Sequence, residues 1–473
     1  MKVQKIGLIF ASIFLLILSI WAPKLEFLVW LAFVPFFLAL QTWKPLQSFF
    51  AGILLGTAFL SALLCWIVRY ELRIFIIVII LTLPFFGLFG FLIGWFWRHF
   101  KNHWIRIFAP GLSWSLVSFL YSLSPIDIIG DQISFLQAPS FPGIVRIAGI
   151  SGITFLIILM NSLMAQWIGT HDKRFRNEAL IVTIVLGLGA SSYLPIPKAN
   201  PIKVAVVQHN FPISFDWRST HRQDILSAYE NLIRELGGEV DLIVFPQYGL
   251  PMDALREPER LEELARLNKT SILLGTYIPK LPGGSLESGE RFDTALLFSP
   301  NEKIQEYRAT TPPPFRNIGQ VLGQEKTPLQ LDGVKIAVML CYEDVRSEEG
   351  RIWVRNGAEV IFALSNPGHF LGTLLPRYHL FHDRIRAIET NRYVIRSSPN
   401  GFSAMIDPNG KIMTQSELGR IDILKGTVHP VTQMTPFVKM GPLIHPFAGL
   451  LCILLLAGNY VRDSIKRFAR KIR

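Results

Sequence analysis

The chain has 473 residues, 50% of them hydrophobic and only 17% charged, with a formal net charge of +12. Soluble domains carry about 25% charged residues, so much of this surface faces something other than water. The basic residues gather beside apolar runs and near the C-terminus, and no nucleic-acid-binding motif is present, so the charge points to a membrane face and not to a nucleic acid. The three cysteines exclude a disulfide framework.

Residues 6–21 are almost wholly apolar after Lys2 and Lys5. No small-residue cleavage site follows and a second apolar run begins at once, so this is read as an uncleaved span rather than a signal peptide. Further spans are expected at 25–41, 49–69, 73–97, 106–123, 142–168 and 178–194. Each approaches or exceeds the roughly 17–25 residues that cross a bilayer. Gly52-x-x-x-Gly56 and Gly90-x-x-x-Gly94 are read as sites of close helix packing. Lys2 and Lys5, Lys44, Arg98 with Lys101 and Arg106, and Lys173 with Arg174 and Arg176 fall in alternate loops. Lys and Arg favour the cytoplasmic side, which puts the N-terminus inside and residues 195–440 on the far side. Arg69 and Arg73 in an outer loop fit less well. An eighth span near 444–461 returns the basic tail to the cytoplasm.

From Pro201 the texture changes. Runs at 202–208, 240–245, 271–276, 334–340 and 359–364 have the length and apolarity of buried strands, and amphipathic stretches at 221–236, 346–356 and 376–390 lie between them. Such alternation reads as α/β. Residues 279–290, rich in Gly, Ser and Pro, read as an exposed loop. The expected organisation is a transmembrane bundle of about seven helices over 1–197, an α/β domain over 200–435, and a C-terminal transmembrane helix with a basic tail over 440–473.

Cys65 and Cys452 lie in apolar runs and read as small buried hydrophobes. Cys341 differs, because it ends the apolar run 334–340 and precedes a charged amphipathic stretch. A residue at a strand-to-helix junction projects from the strand's carboxyl edge, where open α/β sheets place ligands. Backbone N–H groups at such a junction favour a thiolate. A structural cysteine closing the strand is the competing reading.

Five segments add context: DLIVFPQYGLP at 241–251, LCYED at 340–344, LSNPGHF at 364–370, RIRAIETNR at 384–392 and SPNGFSAMIDPNG at 398–410. In this order, after a membrane bundle, they resemble bacterial apolipoprotein N-acyltransferase, with its membrane helices and its nitrilase-like (carbon-nitrogen hydrolase) domain of αββα form. The resemblance implies an inner-membrane enzyme with that domain on the periplasmic side. It implies a fatty acyl group taken from phospholipid onto a nucleophilic cysteine and passed to the N-terminal diacylglyceryl-cysteine of a lipoprotein. A Glu serves as general base and a Lys stabilises the oxyanion; no metal or organic cofactor is implied.

Carried over residue by residue, Cys341, Tyr342 and Glu343 match the nucleophile triplet, but Gln247 stands at the base position and Ala309 at the Lys position. A further family Glu aligns with Asn317. Gln keeps the shape of Glu but accepts no proton. Losing base and cation removes about 10²-fold or more each. Arg308, beside the lost Lys, and His369, after the 359–364 strand, are candidate helpers. Glu343 and Glu389 are read as functional or as loop anchors, and His379, His382 and Asp383 form an incomplete metal set. Three functions compete: acyl transfer through Cys341, a catalytically degenerate relative that binds lipid or lipoprotein, and a related amide hydrolase.

Overall fold

The computed structural model describes residues 2–22, 24–69, 71–124, 133–198, 200–211, 222–249, 258–281, 289–312 and 319–472. The chain divides into two compact units, one of residues 1–144, 148–191 and 442–473, the other of 145–147 and 192–441.

In the first unit, five helices among the described residues are long and apolar enough to cross a membrane: Gln4–Trp21, Pro45–Leu63, Leu72–His99, Pro142–Thr170 and Ile444–Arg462. They leave rows of large apolar side chains uncovered, such as Ile76, Ile77, Ile80 and Leu81 on one helix and Leu450, Leu451 and Leu454 on another. Exposed apolar faces of this extent suit lipid rather than water. His103–Ser122 and Lys173–Ala190 are helical as well. Gly52 and Gly90 sit where Pro45–Leu63 and Leu72–His99 meet. A Cβ on Gly52 would strike the Phe86 carbonyl, and one on Gly90 the Ser48 carbonyl.

The span expected as one helix over 25–41 is broken. It forms a 3-10 turn at Glu26–Leu28 and two helical pieces, Val29–Ala32 and Val34–Leu40. Pro35 has no N–H to give to a continuous helix, and broken backbone in an apolar bundle needs other partners. Asn161 supplies them: its amide accepts from Phe33 N (2.8 Å) and donates to Val29 O (3.0 Å). Ser12 Oγ accepts from Phe36 N at 2.7 Å.

The second unit contains β1 Ile202–Gln208, β2 Leu242–Val244, β3 Ser271–Pro279, β4 Arg291–Ser299, β5 Glu302–Arg308, β6 Gln320–Val321, β7 Leu329–Leu331, β8 Val334–Leu340, β9 Val360–Leu364, β10 Tyr393–Ser397, β11 Ala404–Ile406, β12 Ile412–Gln415 and β13 Asp422–Val428. One sheet runs β13-β1-β2-β3-β4-β5 with β6 paired to β4, and the other β12-β11-β10-β9-β8-β7. The strands β1-β2-β3 and β8-β9-β10 are parallel, while the flanks are antiparallel.

Period-2 alternation sends Val204, Val206, Leu273, Ala295 and Leu297 into a core shared with Ile336, Val338 and Val394 of the opposite sheet. Their neighbours Ala205, Val207, Leu274, Leu296 and Phe298 instead pack against helices Arg222–Leu236 and Pro258–Asn268. On the far side, Trp353 of helix Ser347–Arg355 and Leu380 of helix Leu375–Thr390 cover the second sheet. The layers are helices, sheet, sheet, helices: the αββα arrangement.

Candidate functional site

The inner faces of the two sheets set the site. On β4 the inward residues are Ala295 and Leu297, so Asp293 points inward too. On β5 the same alternation turns Tyr307 inward, with Ala309 just beyond the strand on the same side. Cys341 leaves the end of β8, between β9 and the edge strand β7 of the facing sheet, as the first residue of a 3-10 turn to Val345.

Cys341 has a φ of +50°, in the left-handed region. For a residue with a Cβ this costs of order 1–3 kcal/mol, and such strain persists where surrounding structure over-determines it. A sharp strand-to-helix turn is also how hydrolases raise a nucleophile out of a sheet. Tyr248, just past the end of β2, is a second positive-φ residue, at +55°. Cys341 is half-buried. Burial pushes its thiol up to about 12, and the carboxylates of Asp344 and Asp293 act in the same direction. The Tyr342 backbone N–H and the Arg396 guanidinium oppose them. The sulfur is therefore a thiol that needs a proton acceptor before it attacks.

Gln247 is 1% exposed. Gly275 on β3 makes room for it: a Cβ there would lie 2.6 Å from Gln247 Cα. Its Nε2 donates to Asp293 Oδ2 at 2.6 Å, and the Tyr248 hydroxyl donates to the same oxygen at 3.0 Å. Toward the ionised carboxylate, which only accepts, the amide turns its nitrogen. Gln247 Oε1 and Asp293 Oδ1 are then both buried without a hydrogen-bond partner among the described residues. Burial raises the Asp293 carboxyl to about 7, and Glu343 adds to the rise. Tyr248, Gln247 and Arg291 work against it. Arg291 lies two residues along the same strand, with its guanidinium 4.8 Å from the Tyr277 ring centre. The sequence reading passed over Asp293. The available signal was a charged residue two positions before the apolar run of residues 295–298.

Glu343 is fully buried and accepts from Tyr307 Oη (2.7 Å), Thr310 N (3.0 Å), Thr311 N (3.3 Å) and Leu340 N (2.9 Å). It ties the end of β8 to the chain leaving β5, and its oxygens are occupied by that task. Burial and the nearby Glu349 carboxylate raise its pKa. Lys326, absent from the sequence reading, lowers it. Lys326 is itself held by Glu349 at 2.8 Å and by Thr310.

The other candidates fall in different places. Ala309 is buried and donates its N–H to Asp293 O at 2.8 Å, so a methyl group stands where the aligned cation would be. Arg308 points to the opposite face, over the Phe292 ring (4.2 Å) and paired with Glu306 (2.9 Å). His369 follows β9, which pairs with β8 as expected, but its side chain lies outside the described residues, as does Asn317. His379 Nδ1 meets Asp344 at 2.7 Å, and Arg396 pairs with both Asp344 (2.9 Å) and Asp383 (2.7 Å). His382 stacks on Tyr378 with ring centres 4.3 Å apart. Among the described residues no group of three or more His, Cys, Asp or Glu is arranged to hold a metal. Glu389 pairs with Arg386 at 3.1 Å and with Ser347 at 3.3 Å.

Residues 203–434 match the carbon-nitrogen hydrolase family, and residues 12–163 match the apolipoprotein N-acyltransferase N-terminal domain. An apolipoprotein N-acyltransferase of Nitrosomonas europaea is 26% identical over 459 residues, covering 89% of this chain and 90% of that one. One of Geobacter metallireducens is 25% identical over 457 residues, covering 88% and 87%. Among solved structures, a carbon-nitrogen hydrolase from Helicobacter pylori G27 aligns at 16% identity with a TM-score of 0.41, over 48% of this chain and 88% of that one. With both family domains present in order and the match to these relatives running nearly end to end, the chain belongs to the apolipoprotein N-acyltransferase family, as a multi-pass membrane protein carrying a nitrilase-like domain.

Proposed function

We propose that this protein moves a fatty acyl group from a phospholipid onto Cys341 and from there to the N-terminal amine of a diacylglyceryl-modified lipoprotein. The observation that carries the reading is Cys341 itself: a half-buried thiol on a positive-φ turn at the end of β8. Relatives with this domain pair and near full-length coverage bear the name of that activity. A thioester intermediate suits two bulky substrates, because each meets the sulfur separately. The alternation of basic loops supports a hydrolase-like domain on the periplasmic side of the inner membrane. Cys341 is the nucleophile, Glu343 holds the loop that frames it, and Gln247 occupies the base position beside Asp293.

The test is transfer of labelled fatty acid from phospholipid vesicles to a synthetic diacylglyceryl-cysteinyl peptide by the full-length protein. The parent chain acylates the peptide amine, and Cys341→Ser lowers the rate by at least about 10³-fold. Equal transfer by both would remove Cys341 from the mechanism.

A further inference from the structure

Resting on that reading, we infer that Asp293 is the general base and acid of the Cys341 reaction, with Gln247 as its positioning residue. A proton acceptor is required, because the thiol is not ionised at neutral pH and Gln247 takes no proton. Asp293 is the buried carboxylate that contacts Gln247 directly, 2.6 Å from its amide nitrogen. It is 3% exposed and lies on the inner face of β4, within electrostatic reach of the Cys341 sulfur.

Asp344, the other buried carboxylate within reach of the sulfur, is held by His379 and Arg396, and the contrast with Glu343 then singles Asp293 out. Glu343 spends its acceptor capacity on five donors of the protein. Asp293 has two donors on Oδ2, while Oδ1 is buried and has no partner among the described residues. The neighbouring Gln247 Oε1 is in the same condition. An unpaired buried acceptor costs about 1–3 kcal/mol, and native structures keep such groups where they have a task. Two of them side by side form a receiving site for N–H, S–H or O–H donors: the thiol first, and the incoming amine second. The groups facing Asp293 are Tyr248 from the end of β2, Tyr277 from β3, Arg291 on β4 itself, and Glu343 and Cys341 from the β8 turn. Burial and this mixed company hold the carboxyl at about 7, half ionised at neutrality and suited to both taking and returning a proton.

The steps balance. The Asp293 carboxylate takes the thiol proton as sulfur bonds to the ester carbonyl carbon. The tetrahedral adduct collapses by breaking the acyl C–O bond, and Asp293 returns the proton to the departing lysophospholipid alkoxide. In the second half the amine attacks the thioester and gives a proton to Asp293. The C–S bond then breaks, and the thiolate leaves with that proton as the thiol.

The experiment compares the full-length parent, Asp293→Asn, and the exchange Asp293→Asn with Gln247→Glu. One readout is acylation of Cys341 by phospholipid vesicles and by a fatty acyl p-nitrophenyl ester. The other is alkylation of the Cys341 peptide by iodoacetamide at pH 8, both followed by mass spectrometry. Asp293→Asn slows acylation by about 100-fold or more. It slows alkylation as well, because the same carboxylate takes the thiol proton in both attacks. The exchange, which returns a carboxylate across the same contact, recovers acylation to within about tenfold of the parent. Undiminished acylation in Asp293→Asn, or no recovery of acylation in the exchange, would overturn the assignment. Asp293-dependent acylation by the p-nitrophenyl ester without any by phospholipid would refute the donor in the proposed function and leave the base standing. Acylation of the parent by neither ester would overturn both.

Discussion

Besides Asp344, which His379 and Arg396 hold, two buried carboxylates stand near Cys341, and they are built differently. Glu343, from the turn that carries the sulfur, is saturated by Tyr307, Thr310, Thr311 and Leu340. Asp293, from the facing sheet, is held through one oxygen and leaves the other unmatched. Burial raises both, but the first is satisfied by the fold and the second is left incomplete by it. The difference separates a group that fixes geometry from one that is free to exchange a proton.

The largest break in this comparison comes from Glu343→Ala. It strands the Tyr307 hydroxyl and the N–H groups of Thr310 and Leu340 in a dry interior. At about 1–3 kcal/mol per unsatisfied donor, the loss should be on the order of 3 kcal/mol or more. Chemical denaturation in detergent monitors it, and a loss under about 1 kcal/mol would refute the anchoring role.

Asp293→Asn sharpens the comparison in the opposite sense. The folded carboxyl titrates near 7 against an ordinary value of 3.8, so folding favours its protonated form. That stabilising contribution is complete below about pH 4 and is lost as pH rises through 7, whereas Asn stays neutral throughout. The thermal midpoint of Asp293→Asn should therefore gain on the parent between pH 5 and pH 8, by the equivalent of roughly 1–4 kcal/mol. A difference that does not vary with pH would place the Asp293 pKa elsewhere.

The smallest effect belongs to Arg308→Ala. Its guanidinium faces Phe292 and Glu306 on the outer side of β5, so the change should stay within about 0.5 kcal/mol in stability. Acylation of Cys341 should be unchanged, and a tenfold fall would bring Arg308 into the site.

Much of the architecture was legible because it is written in local pattern. The apolar runs 202–208 and 334–340 became β1 and β8 with the expected bounds, and β9 lies beside β8. Pro35 marks the 25–41 span as a place to break, but the groups that accept the break, Asn161 far along the chain and Ser12, were not legible. The antiparallel strands β4 and β5 escaped for a related reason. They carry charged residues, and their register is set by pairing with β3 and with each other. Alignment to a family directs attention to what is missing at 247 and 309. The carboxylate at 293 becomes visible only when Tyr277 and Asp293 are paired across the strands and Gln247 is packed over Gly275.

The central claim is that Cys341 carries the acyl group, and intact-peptide mass spectrometry after incubation with isotope-labelled phospholipid tests it most directly. The account predicts one labelled fatty acyl chain on the Cys341 peptide, released by hydroxylamine and absent from Cys341→Ser. Labelled lipid that copurifies with the protein while Cys341 stays unmodified would contradict it.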